Sequence, residues 1–232
     1  MSSVSFELQH PPFAILSCLA RLPVIQAVVR HDGVAHELFM PLEKLEGNTI
    51  IRASGSAASG AACGFMLATE TVRSVVFSTI LGLNDTYQPK IDWVAADGGI
   101  LLSILGLDGE QAFLDVLAPL TRRRPSPAPR VIFPEGPAVA PDDPVAIPIR
   151  EARDAGGRCE IRFEGLGAAT SWSGRLRALT VGPQYINVIQ DDMHLHLLGG
   201  AINQWKSDVR PDSRTFHAST AHGHCKLAII VD

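Results

Sequence analysis

The sequence predicts an α+β protein, built from internally duplicated antiparallel β-sheet units with a few covering helices. Three observations carry that prediction. Short apolar segments are cut by turn signals such as His31-Asp32-Gly33 and Asp97-Gly98-Gly99. Two stretches, Phe13–Leu22 and Gly109–Leu120, place apolar residues at helical spacing. The two halves of the chain also match each other, in order, at three places.

Taken along the chain, Phe13–Leu22 is a short amphipathic helix that stops at Pro23. Val24–Arg30 and Val34–Phe39 flank the Asp-Gly turn and read as a hairpin. Thr49–Ala53 is a further short strand. Ser54–Gly64 (SGSAASGAACG) consists of small residues but has neither GK[ST] nor GxGxxG in a βαβ unit. It reads as a close-packed loop, not a phosphate cradle. Phe65–Leu67 and Ser74–Ile80 are strands, and Leu81–Lys90 is a loop. Ile91–Ala95 and Ile100–Leu105 form a second hairpin, followed by the Gly109–Leu120 helix, whose apolar Phe113, Leu114, Val116, Leu117 and Leu120 fit one buried face. Prolines at 125, 127, 129, 134, 137, 141 and 144 make Thr121–Val145 an extended connector. Beyond it, strands are expected at Gly157–Phe163, Ala169–Trp172, Leu176–Val181, Met193–Leu197, Thr215–Thr220 and Cys225–Val231. Ala201–Lys206 leads into a loop at Asp208–Asp212.

The internal match has three anchors. Val29-Arg30 and the turn at Gly33 align with Ile161-Arg162 and Gly165. Phe65-Met66-Leu67 aligns with Leu195-His196-Leu197. Trp93–Gly99 aligns with Ala218–His224. The division expected is a first repeat over 1–120, a proline-rich connector over 121–153, and a second repeat over 154–232 without a closing helix. Two such units would form two facing sheets or one continuous sheet.

The composition narrows the function. A 232-residue chain that is 46% hydrophobic can bury a sizeable core. A net charge of −4 argues against a nucleic-acid partner, which needs a basic stripe. No apolar run reaches the length of a membrane helix, so no membrane insertion is expected. The first residues lack the features of a signal peptide. Cys18, Cys63, Cys159 and Cys225 are scattered and form no CxxC, which points to a reduced cytoplasmic setting with cysteines in the core.

The histidines are the candidate reactive groups. In an extended MHLHL segment, His194 and His196 share one face while Met193, Leu195 and Leu197 share the other. Such a pair can bind a metal or haem iron, pass a proton, or simply occupy a polar sheet face. His31 and His36 flank the first hairpin and, with Asp32 and Glu37 nearby, could ligate a metal, though His31 reads as a solvent-facing turn residue. His217, His222 and His224 crowd the last hairpin and form a candidate metal set, with exposed turn positions as the alternative. Asp191-Asp192 reads as a turn or strand-end pair. Trp93, Trp172 and Trp205 read as core or sheet-face aromatics. There is no GxSxG and no kinase or dehydrogenase signature.

The segment GPQYINVIQDDMHLHLLGGAINQW resembles a signature of the HemS/ChuX-type haem-utilisation proteins. Gly182-Pro183, Asn187-Val188, Asp192, Leu195-His196-Leu197, Ile202 and Trp205 stand at matching positions. Arg30, Val34, His36 and Glu37 are similar to the family's early segment, and IDWVAADGGILLSILGLDGEQAF to its strand–turn–strand–helix close. The resemblance implies an internally duplicated fold and cytoplasmic handling of haem or another tetrapyrrole. Two departures stand out. The family's D-L-R-L-F motif is replaced by Cys63-Gly64-Phe65-Met66-Leu67, and the helical segment bearing its axial histidine is reduced to the proline-rich connector and Ala146–Arg153, so the family's iron ligand has no identifiable counterpart. The resemblance therefore implies a haem carrier more than a haem-degrading enzyme. His194, His196 and His36 are the haem-site candidates, with Arg210 and Arg214 as propionate partners. The competing readings are a non-catalytic metal- or ligand-binding module at the His-rich end, or a degenerate member acting as a homodimeric scaffold through exposed sheet edges.

Overall fold

The computed structural model describes residues 5–81, 87–121, 123–129, 135–220, 223 and 226–232. Residues 5–125 contribute β1 (Ser5–Leu8), α1 (Pro12–Leu19), β2 (Ile25–His31), β3 (Val34–Met40), β4 (Lys44–Glu46), β5 (Ile50–Ser56), β6 (Ala62–Ala68), β7 (Ser74–Leu81), β8 (Tyr87–Val94), β9 (Ile100–Gly106), α2 (Glu110–Leu117) and β10 (Arg123–Pro125). The remainder contributes α3 (Ile147–Ala155), β11 (Cys159–Glu164), β12 (Ala168–Gly174), β13 (Thr180–Val181), β14 (Tyr185–Ile189), β15 (Met193–Leu198), β16 (Ile202–Arg210), β17 (Ser213–Thr220) and β18 (Lys226–Val231).

These strands form two antiparallel sheets. One has ten strands in the order β10-β1-β7-β8-β9-β2-β3-β15-β14-β13, and the other has eight in the order β16-β17-β18-β11-β12-β6-β5-β4. The run β7-β8-β9-β2-β3-β15-β14-β13 is thus repeated, position for position, by the eight-stranded sheet. The duplication is real, but the halves are interleaved. Each half lends three strands to the sheet that the other half begins, so neither sheet belongs to one half alone.

The pairing registers test the three anchors. Leu67 lies opposite Ala168, and Leu197 lies opposite Val34. Phe65-Met66-Leu67 and Leu195-His196-Leu197 therefore hold equivalent places, as aligned from sequence. Ile91 opposite Ile104 corresponds to Phe216 opposite Ile229, which keeps the third anchor too. The first anchor slips by two residues. Val29 opposite His36 corresponds to Phe163 opposite Thr170, so Gly33 matches Gly167 and not Gly165. Gly33 and Gly167 both have positive φ, at 77° and 74°, and each sits just before the returning strand.

Other expectations shift at their edges. The small-residue stretch is not all loop: β5 continues to Ser56 and β6 starts at Ala62. Close approach explains part of that composition, because a Cβ on Gly55 would lie 2.1 Å from the Pro41 carbonyl oxygen. The loop expected at Asp208–Asp212 is a tight turn, since β16 extends to Arg210 and β17 begins at Ser213. The loop expected over Leu81–Lys90 is already strand from Tyr87, and residues 82–86 lie outside the described residues. The segment Ala146–Arg153 is a true helix, α3, closed by Gly156 in the left-handed conformation at φ 64°. It precedes β11 as α1 precedes β2.

The core lies between the sheets. Val29, Val34, Leu38, Leu195 and Leu197 from the ten-stranded sheet are buried, as are Phe65, Phe163 and Trp172 from the other. Strand β12 meets both β2 and β3. Helix α2 packs on α1 and β8, with Phe113 near Phe77 at 6.2 Å between ring centroids. Trp93 and Trp172 are fully buried, and the Trp205 indole N–H donates to the Val145 carbonyl at 3.0 Å. Burial pushes the Cys63 thiol up to about 12 and the Cys159 thiol up to about 11, which makes both inert core groups. No helix is long and apolar enough to cross a membrane among the described residues.

Candidate functional site

Strand parity decides which side chains meet. In β3, Val34, His36 and Leu38 face the core, while Ala35, Glu37 and Phe39 face the outer side of the ten-stranded sheet. In β15, Met193, Leu195 and Leu197 face the core, while His194 and His196 join Glu37 outside. His194 lies directly opposite Glu37, His196 opposite Ala35, and Asn187 of β14 opposite His196. Arg30, opposite Ala35 on β2, completes the row.

Hydrogen bonds, an ion pair and ring contacts link these groups. Arg30 Nη2 donates to Glu37 Oε1 at 2.7 Å, and Gln26 Nε2 donates to Glu37 Oε2 at 2.7 Å. His194 Nδ1 stands 3.5 Å from Glu37 Oε2. The rings of His194 and His196 are 5.8 Å apart at 82°, and Phe39 holds the other side of His194 at 4.8 Å. His196 Nδ1 lies 2.7 Å from Asn187 Oδ1. An amide oxygen only accepts, so Nδ1 carries the proton and Nε2 keeps its lone pair.

Beside this row opens a cleft of about 790 Å³, within the size range of small-molecule sites. Its walls include Arg30, Val34, Tyr185, Asn187, His196 and Leu198, and the connector borders it at Glu135–Pro137. The lining is mostly apolar. Turn chemistry builds its rim. Asp32 and Gly33 have φ of 50° and 77°, the two positive values that a tight two-residue hairpin turn requires. A Cβ on Gly33 would lie 3.0 Å from Ala201 Cβ and 3.1 Å from Leu198 Cβ, so glycine lets the β2–β3 and β15–β16 turns close on each other. Leu198 N donates to the Gly33 carbonyl at 2.8 Å and fixes that closure.

The electrostatics suit a neutral imidazole beside a fixed carboxylate. Burial lowers the pKa of His196, outweighing the nearby Glu37 charge, and its electrostatic interactions with His194 and Arg30 lower it further. Burial alone would raise Glu37. The hydrogen bonds from His194 and Arg30 and the Arg30 guanidinium charge win, and its carboxyl falls to about 2. At neutral pH the site therefore offers a carboxylate, a guanidinium, and an uncharged His196 with one free lone pair. That donor set fits a haem: an imidazole ligand whose other nitrogen donates to a carbonyl, an apolar wall, and a cation for a propionate.

The candidates read from sequence separate clearly. His194 and His196 share one face, as their spacing requires, and His196 lines the cleft. His36 does not join them. It is fully buried between the sheets, with Nδ1 2.9 Å from the Thr170 hydroxyl, because strand parity turns it away from Glu37. Arg210 and Arg214 are also displaced. They lie on β16 and β17 of the eight-stranded sheet, where Arg214 pairs with Glu151 at 2.9 Å and covers Phe216, and Arg210 leans on Asp208 at 3.7 Å. The cation at the cleft is Arg30. His31, expected in solvent, is half-buried and borders the cleft. His217 is exposed on β17, and His222 and His224 lie outside the described residues. Asp191-Asp192 occupies the β14–β15 turn, where Asp192 accepts from the Ser59 hydroxyl.

Sequence reasoning grouped Glu37 with His31, Asp32 and His36 rather than with His194 and His196, and it did not place Arg30, Asn187 and Tyr185 at a site, although Arg30, Glu37 and Asn187 were noted as family-like. Parity was the available signal: with a two-residue turn at Asp32-Gly33, Arg30, Ala35 and Glu37 must share a face. The equivalent places in the eight-stranded sheet hold Ser171 for Glu37, Gly64 for His194, Met66 for His196 and Arg52 for Asn187. The repeated framework does not need the histidine–carboxylate chemistry, and only one sheet carries it.

No family model and no curated protein sequence matches the chain. Solved structures do. The heme degrading enzyme ChuS of Escherichia coli O157:H7 superposes with a TM-score of 0.77 at 12% identity, covering 99% of this chain and 81% of that one. A second ChuS structure, described as an E. coli heme oxygenase, gives 0.75 at 14% identity, covering 98% and 82%. The heme-binding protein PhuS of Pseudomonas aeruginosa, in its holo form, gives 0.75 at 12% identity, covering 99% and 82%. The resemblance read from the sequence thus holds at the level of architecture, and this chain has the fold of the haem proteins ChuS and PhuS.

Proposed function

We propose that the chain is a cytoplasmic haem-binding protein that carries haem in the cleft between the β2–β3 hairpin and the β14–β15 pair. One observation supports this most. His196 borders an apolar cleft with Nδ1 engaged by Asn187 at 2.7 Å, which leaves Nε2 as the ligand nitrogen. Arg30 stands on the same wall as the partner for a propionate, in place of Arg210 or Arg214. ChuS and PhuS, which share the fold, are described as heme-degrading and heme-binding. The cleft lies on the outward face of the sheet, which suits a carrier that must also release its cargo. Haem itself would supply the iron and the conjugated ring. The chain supplies the imidazole, the apolar wall and the cation.

Haemin titration followed at the Soret band tests the reading. The wild type should shift the band and saturate at one equivalent. His196→Ala should weaken binding at least about tenfold, as loss of an axial ligand does. Arg30→Gln should weaken it by a smaller factor, and Arg214→Ala should leave it unchanged. No shift in the wild type, or an unchanged affinity in His196→Ala, overturns the proposal.

A further inference from the structure

Glu37, His194 and His196 make a second kind of site possible. One ligand atom from each lies within 4.8 Å of the other two, and among the described residues no other trio of His, Cys, Asp or Glu side chains converges so closely. We propose that these three side chains bind a divalent first-row transition ion, of the zinc or iron(II) class, independently of any tetrapyrrole.

The geometry argues for it in three steps. Two ligands on one tetrahedral ion, with bonds of about 2.0–2.1 Å, stand about 3.4 Å apart. His194 Nδ1 and Glu37 Oε2 are already 3.5 Å apart, so they need no rearrangement. His196 must approach by roughly 1 Å, which a side-chain rotation provides. Two imidazoles and one carboxylate on one face, with the remaining positions open, are the ligand set that nitrogen- and oxygen-binding divalent ions favour. Two of the three ligands, Glu37 and His196, also line the cleft.

The surroundings fix the ligands. Gln26 and Arg30 hold the Glu37 carboxylate through bonds of 2.7 Å each, and Phe39 packs on the His194 ring. Arg30 opposes a cation by charge. Its side chain is 37% exposed, however, so water screens it, while the Glu37 side chain is 8% exposed. The equivalent trio in the other sheet, Ser171, Gly64 and Met66, cannot ligate such an ion, so the arrangement is not a by-product of the repeated framework.

Co²⁺, the spectroscopic stand-in for zinc, tests the inference in untagged protein with no haem present, so the result does not depend on the haem reading. The wild type should bind one equivalent and develop visible ligand-field bands. His194→Ala and, separately, Glu37→Gln should each lower Co²⁺ affinity by at least about 10-fold, with folding checked by circular dichroism. His217→Ala should leave affinity unchanged, because its imidazole lies on the other sheet. No ligand-field bands in the wild type, unchanged affinity in both His194→Ala and Glu37→Gln, or loss of binding in His217→Ala would each overturn it.

Discussion

At the scale of single residues, neighbours in sequence do opposite work. His36 and Glu37 are adjacent, yet one is sealed in the core and the other anchors the outer site. Burial pushes His36 down to about 3, against a small upward pull from Glu37. Its Nε2 has no partner among the described residues, so protonating it would leave a buried charge. The unfolded chain takes up that proton near pH 6.5, and the native state refuses it until about pH 3. Stability is therefore lost as pH falls through this window, by about 1.4 kcal/mol per pH unit. Glu37, lowered from 4.5 to about 2, acts in the same direction: its contribution is present above pH 4.5 and lost as pH falls toward 2. Urea unfolding should show the wild type weaker at pH 5 than at pH 7 by about 2 kcal/mol. In His36→Gln that difference should shrink markedly. An equal pH dependence in wild type and variant would contradict the assignment. The sequence marked His36 as a candidate because it matched a family pattern, but it could not show which face of β3 would be sealed.

At the scale of elements, the β2–β3 hairpin does most to shape the site. Its Asp-Gly turn was legible because the local backbone demand is severe. Gly33→Val places a β-branched side chain at φ 77° and within about 3 Å of Ala201 and Leu198. It should lower stability by at least about 1–2 kcal/mol from backbone conformation alone. It should also narrow the cleft rim, so haemin affinity should fall in the fraction that folds. Unchanged denaturant midpoint and unchanged haemin affinity would show that the turn does not set the rim. Other elements were less legible for physical reasons. Helix α3 was obscured by the prolines around it, although Pro148 lies in its first turn, where proline costs nothing. β1 is only four residues long and lies between the edge strand β10 and β7, so its alternation is too short to read. β15 was the opposite case. Over Met193–Leu197 its alternation is strict, and both its outward-facing, half-buried histidines and its buried Met193, Leu195 and Leu197 fall where period two puts them.

At the scale of the whole molecule, the duplication read in the sequence becomes an exchange of strands. The anchors at Phe65–Leu67 and Trp93–Gly99 were legible because pairing registers preserve spacing within each strand group. The partner of each strand was not legible, since pairing across halves leaves no local signal. The exchange makes the cleft a joint product, with one wall from β2–β3 of the first half and the other from β14–β15 of the second. Residues 1–140 and 141–232 expressed separately should each fail to give a cooperative unfolding transition, and mixing them should restore one. A cooperative transition in either fragment alone would refute the interleaved account. Haem uptake should follow the same rule, appearing only when both fragments are present. The most direct test of the central claim is chemical rescue at the ligand position, read from the haem absorption and electron paramagnetic resonance spectra. In His196→Ala the axial-ligand signature of the wild-type complex should disappear, and free imidazole should restore it. A wild-type signature in His196→Ala without added imidazole would contradict the claim that His196 holds the haem.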